Sequence, residues 1–211
     1  MAHEYAHAEA AYRQGDNTAY MLGRLTLNPL KHIDPFMTIL LPAMLLMSHA
    51  GFLFAGAKPV PVNPRNYRNY RRGDIIVSLA GIATNLALFV VCAVLFAGVG
   101  AMGRVVPGLA SSLAIFQRMM YAGMSLNLIL AFFNLIPIPP LDGSHVFYHV
   151  LPPGAGLKYR QLYAFGIIPL FLIIWLAPGV LAPFLWPAAK LMSLGWSVVH
   201  GFALGTELPG L

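Results

Sequence analysis

Charge is scarce in this chain, and cysteine is nearly absent. Only 9% of the 211 residues are charged and 58% are hydrophobic, whereas a soluble globular domain carries roughly 25% charged residues. That excludes an ordinary water-exposed surface. The single cysteine, Cys92, excludes intrachain disulfides and cysteine-ligated zinc alike, so any bound metal must use His, Asp or Glu. Acids and histidines are equally few, seven of each. The net charge of +6 would suggest nucleic acid on a soluble protein, but the basic residues cluster in short loops between apolar runs. That is the pattern of cytoplasmic loops in membrane proteins, and no nucleic-acid partner is expected.

What the chain has in quantity is apolar sequence. A hydrocarbon core of ~30 Å takes about 20 helical residues to cross, and runs of that length recur. The cleanest, IIVSLAGIATNLALFVVCAVLFAGVG, covers 75–100, and its Gly81 and Ala83 suit close helix packing. Another covers about 112–136 and ends at a proline cluster. The stretch 36–57 is interrupted by Pro42, Ser48 and His49, so it either spans or dips in and returns. From Leu162 to Val199 the chain is apolar but broken at Pro169, Pro178, Pro183 and Pro187, which predicts two helices with a turn near APGVLAP. The expectation is an all-α polytopic membrane protein with about five transmembrane helices. Residues 1–150 form its core, and 151–211 are C-terminal transmembrane helices of the same domain.

Loop charge predicts the orientation. Residues 58–74 hold Lys58, Arg65, Arg68, Arg71 and Arg72 against Asp74 alone, so this loop faces the cytoplasm. The loop 101–111 contains only Arg104 and lies outside; Lys158 and Arg160 return to the cytoplasmic side. Arg24 and Lys31 also read as cytoplasmic, which a re-entrant hairpin at 36–57 would explain.

The chemistry begins at residue 3. In HEYAH, His3 and His7 are four apart, which on a helix puts both imidazoles on one face. That spacing fits two ligands of one zinc, with Glu4 placed to accept a proton from attacking water. Chance is a poor explanation, because seven His and three Glu in this length give about 0.003 expected matches to the pattern. A third ligand is needed, and no histidine follows six residues after His7. Glu9 points to another face, Asp16 reads as a turn or N-cap, Asp34 precedes Pro35 in a turn, Asp74 belongs to the basic loop and Glu207 lies near the C-terminal end. Asp142, in NLIPIPPLDGSH, directly follows an apolar span, where an ionisable residue is a functional candidate by default. His145 is its rival. His32, His49 and His200 read as structural.

Pro137, Pro139 and Pro140 remove backbone donors and leave carbonyls that water can reach inside the protein. Hydrolysis within a bilayer needs such a wet pocket and an extended substrate. Asn134 either hydrogen-bonds that substrate or its oxyanion, or packs between helices.

HEYAH together with NLIPIPPLDG resembles the site-2 protease family of intramembrane zinc metalloproteases, in the compact bacterial form without a PDZ domain. GDNTAYMLGRLTLNPLKHIDP, AKPVPVNPRNYR and AGIATN extend the likeness over roughly residues 3–145. The resemblance implies one zinc on His3, His7 and Asp142, Glu4 as base, and transmembrane protein substrates cleaved within the lipid bilayer. It also implies a multi-pass protein of the bacterial inner membrane, with its active site nearer the cytoplasmic side. Ile82 departs from the pattern, where relatives usually carry proline. A transmembrane helix entering the motif is expected too, so the native chain should have roughly 15–20 apolar residues before residue 1. The alternative is a non-enzymatic helical transporter or metal-binding membrane subunit; Glu4, which hydrolysis needs and ion passage does not, distinguishes the two.

Overall fold

The computed structural model describes residues 1–49 and 58–204. Among them there are helices and turns and no strand, as the long apolar runs predict. The chain falls into two compact units, Met1–Gly81 and Ile82–Leu211.

The first unit opens with α1, Ala2–Gln14. Gly15 ends it in the left-handed conformation, φ 111°, while the Asp16 amide donates back to the Ala11 carbonyl. Glycine alone takes that φ without strain. Helix α2 (Thr18–Met21) follows, then an irregular segment with a π-helical turn and α3, Leu41–Met47. The expected re-entrant stretch 36–57 is described only as far as His49, and its remainder lies outside the described residues. The unit closes with an extended segment from Lys58 and the first turns of α4, Tyr70–Val105.

The core of this unit is built from small side chains. Ala8 packs with Ala19 and Val60, and Ala11 packs with Tyr67 and Val77. Alanine at these positions lets neighbouring backbones approach α1 closely. Asp16, fully buried, knots the unit together. Its carboxylate accepts from the Asn63 amide at 2.6 Å, from Asn66 Nδ2 at 2.8 Å, and from the Thr18 amide and hydroxyl. Burial alone would raise its pKa, but these donors outweigh burial and hold the carboxyl below its ordinary range. The reading of Asp16 as a turn residue thus captures one of its jobs and misses the cross-link to residues 63–66.

The second unit holds the rest of α4 with α5 (Ala110–Asn134), α6 (Asp142–Tyr148), α7 (Pro153–Arg160), α8 (Ile168–Leu176) and α9 (Ala182–Val199). Phe96, Met124 and Val199 form one cluster across α4, α5 and α9. Glycines permit these contacts: a Cβ on Gly123 would meet Cys92 Sγ at 2.8 Å, and one on Gly195 would meet the Phe89 ring at 2.7 Å. Ile136, Leu141, Leu170 and Leu181 form a second cluster around the proline-rich turn. Outward-facing Val90, Val94, Leu95, Ile115, Phe116 and Met119 leave α4 and α5 apolar on the outside, which suits lipid and not water.

Among the described residues two helices are long and apolar enough to cross a membrane, Tyr70–Val105 and Pro107–Asn134. The helices over 153–165 and 168–176 qualify only as a pair bent by 87°. The all-α membrane class therefore holds, and two or three of the expected spans stand among the described residues. At the C-terminal end proline cuts the apolar stretch into short pieces, and Lys190 with Pro183 and Pro187 dilutes α9. The expected turn between two C-terminal helices is present at Pro178–Leu181.

Candidate metal centre

Helix α1 carries His3, Glu4 and His7 in its first two turns. The Nε2 atoms of His3 and His7 lie 2.9 Å apart, with the rings edge to face at 82°. A tetrahedral zinc with Zn–N bonds of about 2.0–2.1 Å holds two nitrogens about 3.3–3.4 Å apart. The observed separation falls within about half an ångström of that geometry. The pair therefore fits two ligands of one ion.

A neighbouring segment sets the chemistry of each side chain. His7 Nδ1 lies 2.7 Å from the Val77 carbonyl oxygen, an acceptor only, so Nδ1 carries the proton and donates. That leaves the lone pair on Nε2, the nitrogen that faces His3, as a metal-ligating imidazole requires. The closeness of α4 depends on Gly81. A Cβ there would lie 2.5 Å from both His3 Cε1 and His7 Nε2, well inside van der Waals contact. Glu4 is held by another segment, where the Val60 amide donates to Oε2 at 3.1 Å. Val60 belongs to the extended segment whose continuation, Asn63 and Asn66, is tied to Asp16.

Asp142 and Asn134 belong to the second unit. Asp142 is the first residue of α6 and is half-buried. Its turn is pinned tightly. The Ser144 hydroxyl donates to the Leu141 carbonyl and lies 2.7 Å from the Tyr163 hydroxyl. The Tyr159 hydroxyl donates to the Pro137 carbonyl at 3.1 Å, and a Cβ on Gly143 would collide with the Leu135 carbonyl. Tyr159 thus partners one of the carbonyls that the proline cluster exposes. Asn134 Nδ2 donates to the Leu130 carbonyl of its own helix. His145 packs edge to face on the Tyr163 ring, centroids 5.3 Å apart. His32 is buried with Nε2 donating to the Thr26 carbonyl, a structural histidine as expected.

Sequence reasoning found the side chains and missed their supports. Val60 N–H and the Val77 carbonyl are main-chain groups with no signature of their own, although Val60 falls in AKPVPVNPRNYR, a stretch whose likeness to the family was noted. Tyr159 and Tyr163 carried only a weak signal, an i, i+4 aromatic pair beyond the proline turn.

Comparison with known proteins agrees with this chemistry. The profile of peptidase family M50 matches residues 1–174. The chain is 40% identical over 176 residues to the Bacillus subtilis (strain 168) protein named "Putative zinc metalloprotease YwhC", covering 83% of this chain and 75% of that one. It is 31% identical to the Rip2 protein of Mycobacterium tuberculosis (strain ATCC 25618 / H37Rv), again over 83% of this chain, and 36% identical to Rip2 of Mycolicibacterium smegmatis (strain ATCC 700084 / mc(2)155) over 77% of it. Both Rip2 proteins bear the same zinc-metalloprotease description, and the chain spans 62% and 56% of their respective lengths. No solved structure matches the chain.

Proposed function

Since the chain belongs to peptidase family M50 and is a metalloprotease of the membrane, we propose that it is an intramembrane zinc endopeptidase that hydrolyses peptide bonds in transmembrane segments of other membrane proteins. The observation that carries the reading is the first two turns of α1. Two imidazole Nε2 atoms converge there at 2.9 Å, one of them tautomer-locked by the Val77 carbonyl, beside a carboxylate oriented by a backbone amide. An ion-passage site has no need of an oriented carboxylate outside the ligand set.

His3, His7 and Asp142 would hold one zinc per chain. When bound, the ion supplies Lewis acidity, which polarises a scissile carbonyl and lowers the pKa of water at the site. Glu4 takes the proton from the attacking water and delivers it to the leaving amine. Its Oε2 is occupied by Val60, so Oε1 is the oxygen that receives the proton. Asn134 spends one amide hydrogen on Leu130 and keeps a second, which donates to the unwound substrate or its oxyanion. Tyr159 and Ser144 keep the turn before Asp142 in place without touching the substrate.

In a bacterial inner membrane this chain would be multi-pass, with the 58–74 loop and the active site toward the cytoplasm. The test is cleavage of single-pass membrane substrates by the purified chain in proteoliposomes. Cleavage should stop on chelation and return with zinc. Metal-dependent ion flux without any cleavage would replace the protease with a transporter.

A further inference from the structure

The segment that orients Glu4 has few main-chain donors to offer. Pro59 and Pro61 carry no N–H, so the Val60 amide is the one donor in the stretch 59–61, and Glu4 Oε2 takes it at 3.1 Å. An amide orients a carboxylate only if its own backbone is held. Downstream, the hold is Asp16, which accepts from the Asn63 amide. Upstream, it is the loop after α2. Lys58 gives its amide to the His32 carbonyl at 2.9 Å, and its own carbonyl accepts from Arg24 Nη2 at 3.1 Å. The same Nη2 lies 3.5 Å from the Pro59 carbonyl oxygen, one peptide unit before Val60. His32 closes the loop on itself, with Nε2 donating to the Thr26 carbonyl.

Arg24 therefore does more than mark the cytoplasmic side. Its Nε is buried without a hydrogen-bond partner, a desolvation cost that a solvated topology-setting arginine would not carry. The return on that cost is a charge-assisted grip on main-chain carbonyls, roughly twice as strong as a neutral hydrogen bond. We propose that Arg24 is a positioning residue for the reaction: its guanidinium fixes the 58–59 carbonyls and, through them, the Val60 amide, so that Glu4 keeps the orientation in which Oε1 receives the proton. The inference rests on the reading of Glu4 as the base.

Amide hydrogen exchange of the full 211-residue chain in detergent micelles, read by mass spectrometry, reports the brace, because Val60 is the only amide that 59–61 can exchange. Arg24→Met, which keeps an apolar stem and removes the donors, should speed Val60 exchange by about tenfold or more, the loss expected for one hydrogen bond to a charged group. Its kcat should fall about 10–100-fold at unchanged KM and unchanged zinc content, as when a catalytic group is displaced and the ligands are not. Arg24→Lys should recover most of both, because the grip runs through Nη2 and an ammonium can replace one donor group. Arg24→Gln, a milder change that keeps a neutral donor, should fall between the two. Arg65→Met, which removes the same charge from an exposed position of the segment, should match wild type. Val60 exchange at the wild-type rate in Arg24→Met or Arg24→Gln would overturn the brace. So would loss of zinc together with cleavage, the mark of general loosening, or a raised KM at wild-type kcat, the mark of a substrate contact. Full cleavage by Glu4→Gln, with Val60 exchange still fast in Arg24→Met, would instead remove Glu4 as the base and with it the catalytic consequence, while the brace stands.

Discussion

Gly81→Ala tests most directly how the histidine pair is held. The added Cβ would lie 2.5 Å from His3 Cε1 and His7 Nε2, and 2.7 Å from His3 Nδ1. Carbon contacts rest at about 3.5–4 Å, so the rings must withdraw by about 1 Å. That is about twice the half-ångström tolerance within which ligands and catalytic groups have to stay. The clash is with side-chain rings and not backbone, so the chain should still fold, at an overpacking cost of about 1–3 kcal/mol. Zinc affinity should fall about 10–100-fold, as when a supporting contact of a metal ligand is lost, and proteolysis by about 100-fold. Gly98→Ala is the control, because it lies on the same helix and a Cβ there meets nothing within 4 Å. It should leave metal and activity unchanged and add up to about 1 kcal/mol of stability. Zinc content after dialysis against graded chelator, alongside substrate cleavage, reads both variants. If Gly81→Ala keeps zinc as tightly as Gly98→Ala and cleaves as fast, the close approach of α4 does not position the pair.

Glu4→Gln should keep zinc and lose cleavage, since the amide still accepts from the Val60 N–H but cannot take a proton; full activity in a chelator-sensitive assay would remove Glu4 as the base. Asp142→Ala should lose bound zinc in metal analysis while His145→Ala retains it, and the opposite result would transfer the third ligand to His145. Asp16→Ala breaks hydrogen bonds to a charged, fully buried group, so denaturation near neutral pH should show a loss of about 2–4 kcal/mol. The folded-state pKa of Asp16 is lowered from 3.8, so its stabilisation is complete above that pH and is lost as pH falls through the lower folded value. The gap between wild type and variant should therefore narrow only below about pH 4, and a gap that closes nearer neutrality would contradict the buried hydrogen-bonded carboxylate. Glycine or proline placed in a resistant transmembrane substrate should raise cleavage, and equal cutting of a stable poly-leucine segment would show that local unwinding is not needed.

Much of this was legible in the residues alone. The shortage of charge placed the chain in a membrane, and the i, i+4 histidines of HEYAH put two ligands on one face of a helix, because helical spacing is a local property. Scarcity of acids made the choice of Asp142 nearly a matter of elimination. Tertiary structure decided what surrounds these groups. Every residue but proline offers the same amide and carbonyl, so nothing in the letters says that Val77 locks the tautomer of His7 or that Val60 orients Glu4; that depends on which segments meet. Gly81 was visible as a small residue suited to close packing, but only the fold shows that the metal pair is what it admits. Asp16 looked like a local turn residue, and its role as a cross-link appears once residues 63–66 fold back onto it. Hydropathy marks where the apolar stretches lie, because it is a sum over neighbouring residues, whereas helix length and bending, set by proline and by packing, decide how each described stretch is folded.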